Sequence, residues 1–571
     1  MEMHFHTITV LLIYSVITCY AEHVCRIPRN VRIMHASSTF SSRTRRSTVD
    51  SKLKFSVEYT TAFQKHALFD KVKTNIVLPS LTFWEKTLSV KRMPTGNILL
   101  ERQCLESQVS YIRWPNGTVG MYCNKGCESV TRCFTEPIPN TYLNGCKQLN
   151  GSQPTVQGER GVGIPPNGYL VFVDASATDP CKADDLLAYA LACQLESGTD
   201  RPVAGYVNMC PNQLSGSTGE IRATISTFIH EMAHALGFSS TSYAFLRDEN
   251  GNPRTPRDPQ TDLPALGQDS DFIFNASTST IRTFQRTWVS AVSTTTRTVS
   301  AFVLPNLLNE ARAHYNCPTL DGMDVENDGG SGTAIVHFEK RITEDELMSG
   351  SYSKETYISS LTLAYFKDTG WYDVNMSMAD NWKFGKNWGC DFVLKSCYEY
   401  MQMKTAANKP LTPYCNKASG NDIKCLVYDE VYGYCDLKRL KDKVPPEYQY
   451  FTRLDGVADS DVAFYGGSST LSDRCPIYRY TCTGSGITLL IGSGNFSCSG
   501  DGQSIAVNAF DSSINVRGLA LCPTCNGLCS PCPNFTSTSF GGNLKTRIRR
   551  NDKLLILSVI ILLQILDYLH F

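Results

Sequence analysis

The sequence predicts an α+β protein with an N-terminal α/β sheet domain, a central domain and a disulfide-rich, mainly β C-terminal domain. Strand-like and helix-like segments alternate between residues 169 and 238, a pattern typical of an α/β sheet. Residues 239–300 are polar and are expected to form a long insertion with little core of its own, whereas apolar periodicity resumes at Ala301. Beyond Cys390, cysteines recur at short intervals with little helical periodicity. A chain of 571 residues is too long for one hydrophobic core, so several domains are expected.

The helix predicted over Ile221–Phe238 carries the most specific motif. His230, Glu231 and His234 form the sequence H-E-x-x-H. Residues four apart lie on one face of a helix, so both imidazoles can bind one metal ion while Glu231 handles a proton. Gly237 is placed to end the helix. An apolar stripe on the other side of the helix predicts that this side is buried in a core and that the histidines are exposed to a cleft. Its members are Ile221, Ile225, Phe228, Ile229, Met232 and Leu236.

The segments before this helix complete the predicted sheet domain. Tyr169–Val173 and Val203–Met209 are short apolar runs typical of buried strands. Between them, Ala183–Leu195 has apolar residues spaced by threes and fours, which predicts a helix. Residues 51–150 mix β-rich runs with five cysteines and indicate strands joined by disulfide-bonded loops.

The N-terminus and the cysteine content indicate a secreted protein. The apolar run Ile8–Thr18 is followed by Cys19-Tyr20-Ala21, which has the small residues of a signal-peptidase site. The 23 cysteines fit an oxidising compartment. In such a chain each Asn-x-Ser/Thr sequence is a candidate glycosylation site on the surface. These sites are Asn116, Asn150, Asn275, Asn375, Asn495 and Asn534.

The C-terminus predicts attachment to a membrane. The apolar tail Leu554–Phe571 follows the polar spacer Leu544–Lys553 and the small residues of Ser537–Asn543, in the order of a GPI-anchor signal. The alternative is a transmembrane anchor, although the arginines before the tail would then violate the positive-inside rule. Lys+Arg and Asp+Glu both number 54, and this zero net charge gives no support to nucleic-acid binding. The oligomeric state is not indicated.

A metal site of this kind needs a third protein ligand. Catalytic zinc takes three protein ligands and one open position. In the common pattern H-E-x-x-H-x-x-G-x-x-H the third histidine would stand at position 240, which is serine here. Downstream of the helix the candidates are His314 and His337, because His570 lies in the tail. His337 is followed eleven residues later by Met348.

In several segments the sequence resembles the leishmanolysin family of surface metalloproteases, a variant of the metzincins. The resemblance rests on HEMAHALGFS at 230–239, HYNCPTLDGMDVENDGGSGTAIVHFEKRITEDELM at 314–348, WGC at 388–390 and PPEYQYFT at 445–452. It implies a metzincin-like N-terminal domain, with a long insertion before the third ligand and a methionine turn beneath the metal. The corresponding residues here are His337 and Met348.

The resemblance implies a zinc metalloendopeptidase. One Zn²⁺ per chain would be held by His230, His234 and His337, and Glu231 would act as the general base on polypeptide substrates. An extended substrate is expected to add to an edge strand, for which Val203–Met209 is the candidate. The alternative is a catalytically inactive surface adhesin or binding protein that keeps the fold. Retention of Glu231 and all three histidines favours the enzyme.

The region after the signal peptide is predicted to be a removable pro-segment. It ends near the basic run Arg43–Arg46 and contains Cys25 in the context His23-Val24-Cys25. The resemblance implies that such a cysteine caps the zinc before cleavage, whereas the alternative is half of a disulfide. The two C-x-x-C pairs at Cys522–Cys532 are separated by three residues, which favours tight disulfide loops over a zinc site.

The predicted organisation has six parts. They are a signal peptide (1–21), a pro-segment (22–46), a catalytic subdomain with the H-E-x-x-H helix (47–238), a central domain with the third ligand and Met-turn (239–389), a Cys-rich domain (390–543) and a GPI-anchor signal or transmembrane tail (544–571).

Overall fold

The structure is a computed structural model, and it divides into two compact units, residues 1–484 and 485–571. The residues that it describes are 34–36, 51–115, 117–151, 153–182, 186–214, 221–267, 274–330, 332–351, 356–416, 423–426, 431–440, 444–451, 465–467, 469–480, 487–491, 494–498, 504–511 and 514–521. The predicted signal peptide, Cys25, the basic run, the two C-x-x-C pairs and the anchor signal lie outside these residues, and the predicted domain boundaries stay predictions.

The N-terminal part of the first unit contains three strands and several helical segments. The elements are β1 (Met34–Ala36), β2 (Lys54–Tyr59), α1 (Thr61–Gln64), α2 (Phe69–Val72), a π-helical turn (Lys73–Val77), α3 (Leu78–Thr87) and β3 (Leu88–Val90). The prediction of only strands and loops in this region was therefore wrong. Val72, Ile76 and Trp84 are buried at helical spacing, so the apolar signal was present in the sequence.

A small disulfide-bonded β module follows. Its strands are β4 (Val109–Arg113), β5 (Val119–Cys123), β6 (Arg132–Cys133), β7 (Glu136–Pro137), β8 (Cys146–Asn150) and β9 (Gln153–Gln157). Two disulfides lie within the module, Cys104–Cys123 and Cys127–Cys146. The predicted strands with disulfide-bonded loops are confirmed for this part of the chain.

The main sheet has five strands in the order β1-β11-β12-β10-β2. Its further strands are β10 (Gly168–Asp174), β11 (Ala188–Glu196) and β12 (Pro202–Met209). The strands predicted at Tyr169–Val173 and Val203–Met209 are confirmed. The helix predicted over Ala183–Leu195 is wrong for the part that the structure describes, because β11 occupies residues 188–196 and is buried along its whole length. Its apolar residues are so dense that both a helical and a strand period fit them.

The position of β12 also contradicts the expected substrate-binding edge. β12 pairs in parallel with β10 and antiparallel with β11, so both of its edges are occupied. A peptide cannot add to a strand whose backbone donors and acceptors already form two ladders. The outer strands of this sheet are β1, which pairs in parallel with β11, and β2, which pairs in parallel with β10.

The two faces of the sheet are covered by different structures. Helix α4 (Ile221–Leu236) covers one face, where the Tyr169 hydroxyl donates to the carbonyl of Ala235 at 2.8 Å. The disulfide-bonded module covers the other face, and the Cys133–Cys193 disulfide ties it to β11. The helix that carries the candidate ligands is therefore held by a continuous apolar core rather than by disulfides.

The central part of the first unit contains His337, the predicted third ligand. Its elements are β13 (Ile281–Val289), β14 (Thr294–Phe302), α5 (Pro305–Tyr315), β15 (Met323–Asp324), α6 (Lys340–Thr343), α7 (Ser360–Asp368) and β16 (Tyr372–Val374). The expectation that residues 239–300 have little core was wrong in part, since Tyr243–Leu246 is buried and β13 and β14 form a regular hairpin.

The remaining elements are mainly short strands. The first unit ends with α8 (Cys390–Leu394), α9 (Cys397–Ala406), β17 (Ile423–Leu426), β18 (Val431–Cys435), β19 (Lys438–Arg439), β20 (Tyr465–Gly466) and β21 (Tyr478–Tyr480). The second unit contains β22 (Ile487–Ile491), β23 (Gly494–Cys498), β24 (Ser504–Asp511) and β25 (Ile514–Leu521). The other disulfides are Cys181–Cys210, Cys317–Cys390, Cys397–Cys475 and Cys415–Cys435. Within the described ranges, no helix is long and apolar enough to cross a bilayer.

Candidate metal centre

Helix α4 ends at a turn that only glycine can make here. Gly237 has a φ of +127°, and a Cβ at this position would lie 2.5 Å from the indole ring of Trp371. The next residue, Phe238, donates its N–H to the carbonyl of Ala233 at 2.9 Å. The predicted helix end is therefore confirmed, and the turn brings the carbonyl of Phe238 back towards the last turn of the helix.

The second half of α4 is more buried than its amphipathic pattern predicted. Every residue of Phe228–Leu236 is buried, including the side that carries the histidines. The expectation that the histidine side is exposed to a cleft is wrong for this half. Residues Phe338 and Met348 pair with each other through a backbone hydrogen bond of 2.9 Å, and Leu347 of the same segment contacts His230.

The structure brings three histidines together. Candidate ligand atoms of His230, His234 and His337 all lie within 4.8 Å of one another, and all three side chains are buried. The Nε2 atoms of His230 and His234 are 3.0 Å apart. The first two histidines come from one helix face, as the H-E-x-x-H spacing predicts, and the third comes from the loop before α6.

The opposite nitrogen of each ring is held by a backbone carbonyl. The Nδ1–H of His230 donates to Leu347 at 2.5 Å, that of His234 to Phe238 at 2.7 Å and that of His337 to Thr333 at 2.8 Å. A carbonyl only accepts, so Nδ1 must carry the proton and the Nε2 lone pair is available to a metal ion. This arrangement fixes both the tautomer and the orientation of each ring.

Burial keeps all three rings neutral. It lowers the pKa of His230 to about 4 and that of His337 to about 3, and it lowers the pKa of His234 well below its usual value. The carbonyl partners oppose this effect without cancelling it. A neutral imidazole is the form that binds a metal ion, so these rings need lose no proton at neutral pH.

This donor set fits a zinc ion. Three neutral imidazole nitrogens with an open fourth position are typical of catalytic zinc. The buried Nε2 of His337 has no hydrogen-bond partner among the described residues, which is costly for a polar atom unless a ligand completes it. Glu231 follows His230 on the helix and is 1% exposed, so a buried carboxylate stands one residue away from the first of the three histidines.

Met348 is buried in the segment that contacts the cluster. Its N–H donates to Oε2 of Glu346 at 2.5 Å, while the next carbonyl back, that of Leu347, holds His230. Oε1 of Glu346 accepts from Ser359 at 2.6 Å and from Thr362 at 2.5 Å, both in or just before α7. The sequence had indicated Met348 but not Glu346. The signal for Glu346 was its position in the D-E-L-M segment.

His314, the alternative third ligand, is not part of the cluster. Its ring stacks on Trp382 at a centroid distance of 4.1 Å, and its Nε2 hydrogen-bonds to the carbonyl of Phe384 at 2.7 Å. Another group of possible ligands in the described residues, Cys123, Cys127 and Cys146, consists of disulfide-bonded cysteines. Disulfide sulfurs are not thiolates, so this group is not a metal site.

Three of the six predicted glycosylation sites lie at the surface of the described part of the chain. Asn150, Asn275 and Asn375 are exposed. Asn495 lies on β23, while Asn116 and Asn534 lie outside the described residues. The prediction of carbohydrate at these residues stays a prediction.

Comparisons with known proteins identify relatives of this chain. A family model described as leishmanolysin matches residues 132–252 and 265–532. The leishmanolysin-like peptidase of Drosophila pseudoobscura pseudoobscura is 31% identical over 536 residues, which cover 81% of this chain and 77% of the relative. The corresponding peptidase of Caenorhabditis briggsae is 34% identical over 416 residues, covering 72% and 62%. The leishmanolysin of Leishmania donovani is 29% identical over 319 residues, covering 55% and 43%.

Three histidines on an H-E-x-x-H helix and a following loop, packed against a mixed sheet, are typical of metal-dependent proteases. The chain belongs to the leishmanolysin family, which confirms the resemblance observed in the sequence. This is a family of metalloendopeptidases, so membership supports a protease that uses a metal ion.

Proposed function

We propose that the chain is a zinc metalloendopeptidase that hydrolyses peptide bonds in polypeptide substrates. The observation that carries this proposal is the convergence of three neutral histidines whose Nδ1–H groups are all held by backbone carbonyls. His230, His234 and His337 would hold the zinc ion. When bound, zinc supplies Lewis acidity, which activates water at neutral pH and stabilises developing negative charge.

Glu231 is the proposed general base. The support is its place directly after His230 on the helix and its burial, since Glu231 is 1% exposed and His230 is 8% exposed, so solvent is largely excluded from both side chains. There it accepts a proton from the attacking water and delivers a proton to the leaving amine. Exclusion of bulk water strengthens the interaction of this carboxylate with the reacting groups.

Hydrolysis of casein by the processed protein tests the function. We expect cleavage that a zinc chelator abolishes and that added zinc restores. Glu231→Gln should retain zinc, measured by elemental analysis, and should lose about 10²–10⁴-fold in kcat. The matched control is Glu249→Gln at an exposed position, which should cleave at the parent rate. Activity that resists chelation, or none after complete processing, would favour the inactive adhesin instead.

We further propose that the protein reaches the cell surface through the secretory pathway and is anchored there. The support is the apolar N-terminus, the seven disulfides among the described residues and the C-terminal tail. Mass spectrometry of both termini should find a mature N-terminus beyond Arg46 and a lipid near Ser537–Asn543. Release by a phosphatidylinositol-specific phospholipase separates a GPI anchor from a transmembrane tail.

The unprocessed form of the protein tests the proposed zinc-capping role of Cys25. If Cys25 caps the zinc, the unprocessed Cys25→Ser variant should cleave substrate, whereas the unprocessed parent should not. An unprocessed variant as inactive as the parent would contradict the capping role.

A further inference from the structure

The end of helix α4 supports the second candidate ligand. The Nδ1–H of His234 donates to the carbonyl of Phe238 at 2.7 Å, and Phe238 lies just past the helix end. The rings of His230 and His337 are held by carbonyls outside this turn. The orientation of the His234 ring therefore depends on where the turn formed by Gly237 and Phe238 lies.

A planar peptide unit joins Gly237 to Phe238, and its N–H is fixed by the helix. This N–H, which belongs to Phe238, donates to the carbonyl of Ala233 at 2.9 Å. Glycine restricts the backbone less than any other residue, so Gly237, with its φ of +127°, does not by itself hold the plane of this unit. A second hydrogen bond, to the oxygen of the same unit, would prevent the unit from rotating about the first.

Tyr365 in α7 forms this second hydrogen bond. Its hydroxyl donates to the carbonyl of Gly237 at 2.8 Å, and its ring packs on the ring of Phe238 at a centroid distance of 4.4 Å. The side chain of Tyr365 is fully buried. Burial raises the pKa of Tyr365 well above its usual value, so the hydroxyl keeps its proton and remains a donor. Tyr365 thus contacts both residues of the turn.

Tyr169 forms a similar hydrogen bond to the same helix, but not to the turn. Its hydroxyl donates to the carbonyl of Ala235, also at 2.8 Å. Like Tyr365, Tyr169 is fully buried, and burial raises its pKa well above the usual value. Ala235 lies inside α4, whereas the carbonyl that accepts from His234 is three residues further on. The two tyrosines therefore differ in the carbonyl that they hold.

We propose that Tyr365 is a positioning residue of the metal centre, which fixes the Gly237–Phe238 turn and through it the tautomer and orientation of His234. Loss of the hydroxyl would free the oxygen end of the peptide unit that precedes the Phe238 carbonyl. The ring of His234 would then be less well ordered before a metal ion binds, and binding would have to order it. The inference rests on the proposed zinc-dependent function, because it concerns the same metal centre.

The affinity for zinc tests this role. Tyr365→Phe removes the hydroxyl and keeps the ring, and competition with a fluorescent chelator should show zinc bound about 10–100-fold more weakly than by the parent. The matched control is Tyr169→Phe, which removes an equally buried hydroxyl from a hydrogen bond of the same length. It should bind zinc like the parent. Fluorotyrosine incorporated at position 365 retains a hydroxyl donor and should also bind zinc like the parent.

A second measurement uses the metal-free protein. Nitrogen NMR of protein labelled in its histidines distinguishes the two tautomers of a neutral ring, and the signal of His234 is assigned by its absence from His234→Gln. In the parent and in Tyr169→Phe, His234 should carry its proton on Nδ1 alone. In Tyr365→Phe, it should be a mixture of both tautomers. Urea unfolding in chelator should show that both tyrosine variants fold cooperatively.

The contrary outcomes are distinct from failure of the proposed function. Equal zinc affinity in Tyr365→Phe and the parent, or equal losses in both tyrosine variants, would overturn the positioning role. So would a Tyr365→Phe protein that does not fold, because Tyr365 would then support the fold as a whole. A parent that binds no zinc would contradict the proposed function, while the tautomer of His234 in the metal-free variants would still decide the role of Tyr365.

Discussion

His314 and His337 are both histidines with a lowered pKa, but they belong to different kinds of site. Burial lowers the pKa of both, to about 4 for His314 and to about 3 for His337. Each ring also hydrogen-bonds a backbone carbonyl. The two rings differ in the nitrogen that forms this hydrogen bond. His314 uses Nε2, which bonds to the carbonyl of Phe384, and its ring stacks on Trp382. His337 uses Nδ1, so that Nε2 is directed towards two other histidines.

A buried neutral histidine is therefore not by itself evidence of a metal ligand. Desolvation depresses the pKa of a structural histidine as effectively as that of a ligand. What distinguishes a ligand is a set of rings whose carbonyl partners leave the same nitrogen available at one point. This comparison of His314 with His337 makes predictions that differ between the two residues.

The largest difference is expected when each histidine is replaced. His337→Ala removes a proposed zinc ligand and should lower zinc affinity by more than the about 10–100-fold typical of outer-shell partners, with cleavage falling below detection. His314→Phe should retain zinc and activity, because a phenyl ring can keep the stacking on Trp382. Zinc content and peptide cleavage, measured side by side, provide the test. Zinc loss in His314→Phe but not in His337→Ala would reverse the assignment.

Removal of the metal should also act on stability. Zinc that binds only the folded chain stabilises it by about 3–4 kcal/mol at 100–1,000 times Kd. Thermal unfolding of the parent should therefore occur at lower temperature with a chelator than with zinc. His314→Phe should show the same difference and His337→Ala almost none. An unfolding temperature of the parent that is the same with and without zinc would contradict metal binding at this cluster, since mass action requires binding to raise that temperature.

A smaller effect is expected from Glu346, whose carboxylate accepts a hydrogen bond from the backbone N–H of Met348. Glu346→Gln would place an amide donor among the donors of Met348, Ser359 and Thr362, leaving a buried polar group unsatisfied. The backbone around Met348 should then move, and with it the Leu347 carbonyl that orients His230. The affinity for zinc should fall about 10–100-fold, as is typical when an outer-shell partner is changed. Competition with a fluorescent zinc chelator measures this. Zinc affinity equal to that of the exposed-site control Glu249→Gln would exclude the positioning role.

The sequence was sufficient to predict which histidines converge, because helical spacing is geometric and the family pattern places the third ligand before D-E-L-M. It was not sufficient for β11, whose apolar residues satisfy two periods at once and whose state is decided by pairing with β12. Nor could it indicate that Ile335 adopts a φ of +71°, because its backbone is held by hydrogen bonds with Glu326 and with Tyr243, which lies 92 residues away.

The same limit applies to the histidine comparison. Which ring nitrogen a histidine uses depends on the carbonyl that the fold brings to it, and sequence spacing contains no such information. Phe384 lies 70 residues from His314, whereas Thr333 lies four residues from His337. A local carbonyl partner could be anticipated from the turn, but the distant partner of His314 could not.

The smallest predicted effect concerns acid stability. The folded-state pKa of His314 is below its unfolded value, so its contribution to stability is present above about pH 6.5 and is lost as the pH falls towards 4. The parent should lose about 1–2 kcal/mol between pH 6.5 and 5 from this group. His314→Phe lacks this titrating group. The difference in free energy of unfolding between the parent and this variant should therefore become smaller over the same pH interval. Urea unfolding of both proteins in chelator, which removes zinc dissociation from the comparison, should show this narrowing; parallel pH profiles would contradict it.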